Sequence, residues 1–577
     1  MRTVTLVFAA FTVISCSGSI GGSGGGGGGS AVGGGSAVGG GSAVGGGSAV
    51  GGGSAVGGGS AVGGGSAVGG GSAVGGGSAV GGGSAVGGGS AVGGGSAVGG
   101  GSAVGGGSAV GGGSGTGGGG TVIGTAYFVD SSCSFGGTGT SDSCAASAGA
   151  AGRFNDLQTA FDALQAGDDL TVYAGAGYIT SNGNGYTTAS GFAITHSGTA
   201  AAPIVIHNKT GERPNLSACA LGTADLAQCN RATITANGQE YIHLTSDSCP
   251  SDATQPSTLG LHIHGLVIFY DDGATEAAMA HGNAVTCTEI ELGYSTKDDG
   301  NWSALWLEGQ LDGDFSRNQI HDVVLSGITD PGVQPSRSGI KLFQTAGSRF
   351  DHNSIINIPS DAAGYAGMGI DCKADCVRNT FTGNEVRNVS LCLRIENQET
   401  PGGPYTVEGA TGSVFSGTLC VSETPGVRGA VRFEDGNITD VTFTNNTFVG
   451  FGFGFEETHP GTGVCHGIGS WNNAFYGTVG QQLFLGDGAG TSCTFSRSDY
   501  NAYSTGTFQY GGTGYPQLSG FTATGFDTHS NQLAGSAFGF VDAAGGDFTL
   551  QASSPLKGAG RSDGTANGTA VDIGAYY

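Results

Sequence analysis

Residues 339–435 contain four segments in which apolar and polar side chains alternate: Ile340-Lys341-Leu342-Phe343, Ile370-Asp371-Cys372-Lys373, Leu393-Arg394-Ile395-Glu396 and Val431-Arg432-Phe433-Glu434. They align without a gap and recur at intervals of 23 to 38 residues. An alternation with a period of two predicts β-strands, and repetition of one short strand predicts a solenoid of stacked coils. We therefore expect the first residues of the four segments to touch in a single buried row.

An asparagine follows each strand-like run at a comparable spacing. The residues concerned are Asn318, Asn353, Asn384, Asn446 and Asn473. Asparagine tolerates left-handed backbone angles and can hydrogen-bond to the nearby backbone, so one asparagine per coil is typical of a tight corner. We expect these side chains to stack from one coil to the next.

In these two repeated features the chain resembles the right-handed parallel β-helix proteins of the pectin-lyase-like superfamily, which includes polysaccharide lyases and some glycoside hydrolases. The resemblance implies an all-β fold, a right-handed parallel β-helix, over residues 121–577. Before the first coil, apolar residues at positions 154, 157, 161 and 164 predict a short amphipathic helix with Asn155 as its N-cap. This helix would close the open end of the solenoid.

The amino end predicts export from the cytoplasm. An apolar run from Val4 to Ile14 is too short to span a bilayer and is typical of a signal peptide, which we assign to residues 1–15. The tetrapeptide Val13-Ile14-Ser15-Cys16 resembles a bacterial lipobox. This resemblance implies a lipid on Cys16 and a location at the outer membrane or cell surface. An ordinary signal peptide cleaved near Ser15 is the alternative.

Residues 16–120 consist mainly of a glycine-rich repeat. From Ser30 the hexapeptide Ser-Ala-Val-Gly-Gly-Gly occurs 14 times, without a charge or a large side chain. Such a sequence buries too little apolar surface to offset the entropy of ordering, so we expect a disordered, flexible tether. The alternative is a second solenoid, because the repeat formally resembles the hexapeptide of left-handed β-helices.

Charge and cysteine content set limits on the function. The formal charge of −25 makes nucleic acid an unsuitable partner, because phosphate recognition requires a basic surface. Twelve of the 13 cysteines remain after Cys16, an even number that is compatible with six disulfides in an oxidising compartment. The close pair Cys372 and Cys376 predicts a local staple, or two bonds to neighbouring coils, rather than a metal site.

Stacking of the four segments creates two rows of functional side chains. The second residues form one row, Lys341, Asp371, Arg394 and Arg432, and the fourth residues form another, Phe343, Lys373, Glu396 and Glu434. Nine of the 19 lysines and arginines lie between positions 337 and 432. In an acidic protein this local excess of basic residues predicts an anion-binding face.

An acidic polysaccharide suits such a face. Removal of the C5 proton of a uronate requires a base, and the adjacent carboxylate requires cations or a calcium ion. The resemblance to polysaccharide lyases implies Lys373 as the base and Arg394 as the acid or carboxylate clamp, with Lys341 as a third catalytic candidate. It also implies calcium or sugar ligands, which are Asp371, Glu396 and Glu434. The remaining candidates for substrate binding are Arg432, Trp306 and Phe343. The rings of Trp306 and Phe343 could stack on a sugar.

Two classes of function remain open on this sequence. One is a lyase, or secondarily a glycosidase, that binds and cleaves an extracellular polysaccharide. The other is a non-catalytic adhesin or structural surface protein, in which the charged rows are salt bridges on a solvated sheet. His262 and His264 occupy alternate positions of one predicted strand, so their side chains should lie on the same face of the sheet. They are either ligands at a binding site or ordinary surface residues.

Overall fold

The computed structural model describes fifteen short strands between Ser30 and Thr116 and most of the chain beyond residue 123. The described ranges of that second part are 124–179, 191–217, 232–247, 260–271, 275–291, 301–323, 336–360, 366–396, 409–422, 424–426, 428–434, 436–458, 463–486 and 493–575. The chain divides into two compact units, Met1–Thr121 and Val122–Tyr577.

Three long parallel sheets form the second unit, and the chain visits them in the same order in each coil. The first sheet has two parts, which isolated bridges at Asp314 connect. The five strands of one part are Ala126–Val129, Asp169–Val172, Ile204–Asn208, Ile242–Thr245 and Ala284–Val285, and the six strands of the other are Arg349–Asp351, Thr380–Thr382, Val414–Ser416, Thr442–Thr444, Ile468–Trp471 and Phe495–Asp499. The second sheet contains Tyr178–Ile179, Asn215–Ser217, His262–His264, Glu289–Glu291, Gln319–His321, Ser354–Ile358, Glu385–Val389, Leu419–Ser422, Thr447–Val449, Ala474–Tyr476, Ala502–Ser504 and Asn531–Leu533. The third sheet contains the parallel strands Phe192–Ile194, Ala232–Asn237, Leu266–Tyr270, Ala280–His281, Asn301–Leu311, Ser336–Ala346, Gly367–Val377, Leu391–Ile395, Gly429–Phe433, Phe453–Glu457, Gln481–Leu485 and Thr507–Tyr510. A final strand, Thr513–Tyr515, pairs antiparallel with Thr507–Tyr510. This is the parallel β-helix that the sequence predicts.

The remaining elements are short. The additional strands are Ala410–Thr411, Ile438–Thr439 and Cys465–His466, and the hairpins Phe540–Asp542 with Asp547–Leu550 and Gly560–Arg561 with Ala570–Val571. The α-helices are Leu157–Ala163 and Leu518–Phe521, and the 3-10 helices are Glu276–Ala278, Thr522–Thr524 and Gly535–Phe538. Within the part of the chain that the structure describes, none of the helices has the length and apolar character needed to cross a bilayer.

The predicted apolar row lies in the core. Ile340 pairs with Ile370, Ile370 with Leu393, and Leu393 with Val431, and all four side chains are buried. Full burial of an aliphatic side chain of this size contributes about 1.5–3 kcal/mol, so each coil adds a comparable increment to the stability of the stack. The prediction of a single buried row is confirmed.

The asparagines form a buried ladder at the corner that leads into the second sheet. The backbone N–H of Asn318 donates to Oδ1 of Asn353 at 3.0 Å, and the N–H of Asn353 donates to Oδ1 of Asn384 at 2.9 Å. The same contacts link Asn446 with Asn473. Each carboxamide therefore satisfies backbone groups that the turn would otherwise leave buried without a partner. The stacking prediction is confirmed.

The left-handed backbone lies one residue earlier than the sequence predicts. His352, which precedes Asn353, has a φ of 52°, and Asn445, which precedes Asn446, has a φ of 55°. The ladder asparagines themselves are not among the residues with positive φ. Asparagine is required at these corners for its side-chain hydrogen bonds, and the preceding residue makes the sharp turn.

The ladder changes chemistry at one coil. Thr418 takes the place of an asparagine, and its N–H donates to Oδ1 of Asn446 at 2.9 Å. A threonine has one hydroxyl where asparagine has a carboxamide with two donors and an acceptor. The Oγ1 of Thr418 is buried and has no hydrogen-bond partner among the described residues. The corner is therefore less fully bonded at this coil than at its neighbours.

The amphipathic helix is present as Leu157–Ala163, and it buries Leu157, Ala160 and Phe161. Its N-cap is Asp156 and not the predicted Asn155, because Oδ1 of Asp156 accepts a hydrogen bond from the N–H of Thr159 at 2.7 Å. The negative charge of a carboxylate at this position also interacts favourably with the helix dipole, whereas the carboxamide of asparagine carries no charge.

Disulfides reinforce the second unit. The bonds seen among the described residues are Cys133–Cys144, Cys372–Cys376, Cys392–Cys420 and Cys465–Cys493. Cys372–Cys376 is the local staple that the sequence predicts. Cys392–Cys420 joins a strand of the third sheet to the next coil's strand of the second sheet. Removal of a native disulfide from a secreted domain typically costs about 2–5 kcal/mol.

The first unit differs from the flexible tether that its composition predicts. Each Ser-Ala-Val triplet from Ser30–Val32 to Ser108–Val110 is a three-residue strand. Each triplet pairs in parallel with the triplet twelve residues away, so alternate copies form two separate sheets. A strict six-residue spacing brings identical backbones into register, and backbone pairing does not depend on bulky side chains. The predicted signal peptide and Cys16 lie outside the described residues.

Candidate functional site

The third sheet carries the row of polar residues that the sequence predicts. From coil to coil its members pair in the order Trp306, Lys341, Asp371, Arg394, Arg432 and Glu456. Five of these six residues are charged, and we call the six together the charged row. Neighbouring strands of a sheet lie about 4.8 Å apart, so each side chain is within reach of the next. The predicted register of this row is confirmed.

The second predicted row is broken by one extra residue. A β-bulge lies between the strands Ser336–Ala346 and Gly367–Val377, so Phe343 pairs with Ala374 and not with Lys373. Lys373 is half-buried, and its amine lies 5.9 Å from the ring centroid of Phe343. The prediction that Phe343 and Lys373 share a register is wrong, because a bulge shifts the pairing by one residue.

Asp371 is the most enclosed member of the charged row. Arg394 binds it with two hydrogen bonds, from Nε at 2.8 Å and from Nη2 at 2.9 Å, and the amine of Lys341 lies 3.5 Å from Oδ2. The side chains of Asp371 and Lys341 have no exposed surface. Burial favours the protonated carboxyl, but the charges of Arg394 and Lys341 outweigh it and lower the pKa of Asp371 to about 2.

Lys341 lies between this carboxylate and two aromatic rings. Its Nζ is 5.5 Å from the ring centroid of Phe343 and 5.8 Å from that of Trp306, and the two rings stack at 5.6 Å. Burial disfavours the ammonium form. Asp371 opposes that effect and the nearby cations Lys373 and Arg394 add to it, so the pKa of Lys341 falls to about 7. Its amine can therefore exchange a proton near neutral pH.

The row opens towards solvent at its other end. Nη1 of Arg394 lies 3.1 Å from Glu396 and 3.3 Å from Glu434, and Nη1 of Arg432 lies 3.0 Å from Glu434. The exposed fractions of the side chains are 13% for Arg394, 17% for Glu434 and 20% for Arg432. Burial raises the pKa of Glu396, and Arg394 only partly offsets this effect. Burial alone would lower the pKa of Arg394, but the charge of Asp371 outweighs burial and raises this pKa.

The residues that the sequence predicts as calcium ligands do not fit a calcium site. Both carboxylate oxygens of Asp371 accept hydrogen bonds from Arg394, and Lys341 is a second cation at the same group. Glu396 is paired with the guanidinium of Arg394. Calcium requires six to eight oxygen ligands, and here cations occupy the carboxylates that would supply them.

Three other basic residues that the sequence assigns to the anion-binding face have acidic partners. Arg349 pairs with Asp314, Arg378 with Glu276, and Arg387 with Glu385. The salt-bridge ladder weighed as the alternative is present from Lys341 to Arg432. The observed ladder differs from the solvated one that we expected, because Lys341 and Asp371 are buried. The charge of the row is therefore largely compensated within the chain. The prediction of a single anion-binding face is wrong, because Arg349 lies on the first sheet and Arg387 on the second, whereas Lys341 and Arg394 lie on the third.

A second polar cluster lies on the second sheet, and the sequence identified only part of it. His262 pairs with Glu289, and His264 pairs with Glu291, while His321 pairs with Glu291 from the other side. The signal in the sequence is a His-x-His strand followed one coil later by a Glu-x-Glu strand. Because the two strands are separated by about 25 residues, only the coil register reveals that they are neighbours.

The pKa of Lys341 predicts how the stability of the protein depends on pH. The pKa is about 7 in the folded chain, below the ordinary value of 10.5, so between these values the unfolded chain binds more protons. The free energy of unfolding of the wild type, measured relative to Lys341→Met, should therefore rise by about 2 kcal/mol between about pH 7.5 and 9.5. Urea denaturation of both proteins at each pH measures this difference. A Lys557→Met control, at an exposed lysine, should show no such trend, and a flat difference for Lys341 would contradict the lowered pKa.

No protein-family model matches the chain, and no curated protein matches it. Solved structures that are similar to it include pectate lyase Pel9A, with 14% sequence identity, a TM-score of 0.41, and coverage of 79% of this chain and 97% of that one. An alginate lyase from Paenibacillus sp. str. FPU-7 has 15% identity, a TM-score of 0.29, and coverage of 54% and 96%. A rhamnogalacturonan lyase has 13% identity, a TM-score of 0.28, and coverage of 72% and 91%. At these identities and TM-scores the similarities carry no inference about activity, and the parallel β-helix rests on the strand pairing described above.

Proposed function

We propose that this protein binds an acidic extracellular polysaccharide along the charged row and cleaves it by β-elimination. The observation that carries the proposal is the amine of Lys341, whose pKa is lowered to about 7. An amine that is neutral near pH 7 is a competent general base, and such shifted groups concentrate at functional sites.

The neighbouring residues supply the other requirements of the elimination. Because Lys341 has no exposed surface, elimination requires an opening of the charged row that brings its amine to the substrate. The amine would then take the C5 proton of a uronate, the bond from C4 to the leaving oxygen would break, and a double bond would form between C4 and C5. Solvent would give a proton to the leaving oxygen, and Glu396, whose pKa burial raises, lies beside Arg394 at the more exposed end of the row. The half-buried Lys373, predicted from sequence as the base, would stabilise the substrate carboxylate instead. The stacked rings of Trp306 and Phe343 offer a surface for a sugar ring.

A second candidate is a non-catalytic surface protein, and burial is the observation that favours it. Lys341 and Asp371 have no exposed surface, and each already has a partner of opposite charge. A buried, compensated pair of this kind can serve the fold alone. Under this candidate the protein holds a polysaccharide at the open end of the row or forms part of a surface layer.

One experiment separates the two candidates. The full chain is incubated with pectate, alginate and glycosaminoglycans, with calcium or with a chelator, and three quantities are followed: ultraviolet absorbance of an unsaturated product, new reducing ends, and binding by calorimetry. A rise in absorbance supports elimination, whereas new reducing ends without absorbance indicate hydrolysis and overturn it. Binding without either product supports the second candidate, a non-catalytic adhesin. Absence of both binding and cleavage overturns the proposal.

We also propose that the protein is exported and anchored at the outer membrane or cell surface through a lipid on Cys16. The lipobox-like tetrapeptide at residues 13–16 supports this assignment. Radiolabelled fatty acid fed to cells that express the chain should be incorporated into the wild type and not into Cys16→Ser. Equal labelling of both proteins would show that another residue carries the lipid. An unlabelled wild type would overturn the lipid anchor and support an ordinary signal peptide.

A further inference from the structure

The outer face of the third sheet changes character one coil beyond the charged row. Phe484 pairs with Glu456 in the register of that row. Leu483 and Leu485, on either side of Phe484, are buried in the core, whereas Phe484 is half-buried, so its ring lies on the outer face. The ring of Phe453 is also half-buried, and its centroid lies 5.9 Å from that of Phe484. We call Phe453 and Phe484 the aromatic pair.

Two uncharged carboxamides lie beside the aromatic pair. Gln509 follows Phe484 in the register of the sheet, and its Oε1 lies 3.5 Å from Nε2 of Gln481. Nε2 of Gln509 donates to the backbone oxygen of Gly486 at 3.1 Å. An aromatic ring can stack on the apolar face of a sugar, and carboxamides donate to and accept from hydroxyl groups. This set of side chains suits an uncharged sugar residue.

Acidic groups outnumber basic ones next to the aromatic pair. Nη1 of Arg432 lies 3.0 Å from Glu434, and its Nε lies 3.8 Å from Glu456 and donates to Oγ1 of Thr458 at 2.8 Å. Glu456 is held in place, because its Oε2 also accepts the backbone N–H of Gly429 at 3.0 Å. A carboxylate on a bound sugar would therefore meet two glutamates and one arginine that already has partners. Like charges at short range repel, whereas a neutral sugar brings no charge to this end of the row.

The buried end of the row, at Lys341, has the opposite character. Lys341 and Lys373 lie 5.5 Å and 5.9 Å from the ring centroid of Phe343, and the proposed function assigns the carboxylate of a uronate to Lys373. Five strand spacings separate Lys341 from Phe484, which is about 24 Å at about 4.8 Å each. A linear chain of several sugars that follows the row would contact both ends.

We infer that the ligand is a mixed polysaccharide that contains both uronates and neutral sugars, and that one of its neutral units stacks on the aromatic pair. The inference rests on the proposed function and names the class of its substrate. A homopolymer of uronates, such as pectate or alginate, has no neutral unit to offer to the acidic end of the row. The row would disfavour such a polymer through charge repulsion, which is a common basis of specificity.

Calorimetric titration of the full chain with oligosaccharides of equal length tests this inference. Unsulfated chondroitin, hyaluronan and rhamnogalacturonan supply mixed chains, and pectate and alginate supply homopolymers. At least one mixed chain should bind about tenfold more tightly than either homopolymer, because only the homopolymers meet like charges at the acidic end. The double variant Phe453→Leu, Phe484→Leu should weaken binding of that mixed chain about tenfold, because two stacking contacts are lost. Titrations with Lys341→Met, which lacks the proposed base, separate binding from cleavage.

A second variant tests the contribution of charge. Glu456→Gln keeps the shape of the side chain and an acceptor for the N–H of Gly429, but it removes one negative charge from the acidic end. It should narrow the difference in affinity between mixed chains and homopolymers. The matched control for the aromatic pair is Phe135→Leu, which alters an exposed phenylalanine elsewhere in this unit. It should bind every polymer as the wild type does.

The outcomes distinguish this inference from the proposed function. Circular dichroism and thermal melting establish that each variant is folded. Homopolymers that bind as tightly as every mixed chain would overturn the inference and leave the proposed function standing. A folded double variant that binds the mixed chain as the wild type does would have the same meaning. Absence of binding to all of these polymers would overturn both.

Discussion

Replacement of Lys341 by methionine is expected to lower the rate of polysaccharide elimination by about 10³-fold, within the range that a positioned general base contributes. Methionine fills nearly the same volume and keeps the contacts with Trp306 and Phe343, but it has no amine to take a proton. Asp371 retains both hydrogen bonds from Arg394 in this variant, so its charge stays compensated. The initial rate of ultraviolet absorbance at saturating substrate measures the effect.

The pH profile separates a base from a merely structural lysine. In the wild type the rate should rise with pH as the amine of Lys341 loses its proton near pH 7, and the variant should lack this limb. Lys557→Met is the matched control, because Lys557 is an exposed lysine that pairs with Asp572. It should retain the wild-type rate. A folded Lys341→Met protein with unchanged activity would exclude this lysine as the base.

Replacement of Arg394 by methionine is expected to lower the free energy of unfolding by about 3–5 kcal/mol, the usual cost of removing one partner from a buried ion pair. Arg394 supplies both hydrogen bonds to the fully buried carboxylate of Asp371 and also contacts Glu396 and Glu434. Without it, three carboxylates crowd one another and Asp371 keeps only the amine of Lys341. Urea denaturation at neutral pH measures the loss.

Two further variants test whether the cost arises from the unpaired charge. Asp371→Asn combined with Arg394→Met should recover more than half of the lost stability, because the double variant no longer buries an uncompensated carboxylate. Arg349→Met removes an arginine whose pair with Asp314 is well exposed, and it should cost less than about 1 kcal/mol. Equal losses for Arg394→Met and Arg349→Met would show that the row contributes nothing beyond an ordinary surface pair.

The sequence predicts the stacking of the coils well, because stacking depends on a local pattern that every coil repeats. The alternation around Ile340 recurs around Ile370, Leu393 and Val431, and the structure pairs these residues in that order. The bulge at Lys373 was not predictable in the same way. One extra residue within a run leaves the alternation on either side intact, and only the partner strand reveals the shift.

Burial of the charged row was equally hidden from the sequence. Alternation indicates which side of a strand a residue occupies, but it does not indicate what covers the outer side. Lys341 and Asp371 therefore look like solvated residues in the sequence and are enclosed in the structure. The pKa of Lys341 depends on that enclosure, whereas the choice of Lys373 as the base came from the resemblance to polysaccharide lyases. Only His262 and His264 of the polar cluster on the second sheet were found in the sequence, since its three strands belong to different coils.

The interruption of the asparagine ladder at Thr418 has a consequence for how the solenoid comes apart. A stack in which each coil contacts only its neighbours behaves as a one-dimensional chain of cooperative units, and opening begins where coupling between neighbours is weakest. Thr418 marks such a junction between the blocks that contain Asn384 and Asn446. The disulfide Cys392–Cys420 crosses close to this point. In an oxidising environment that covalent link makes the two blocks behave as one, and a reducing environment would release them as separate foldons.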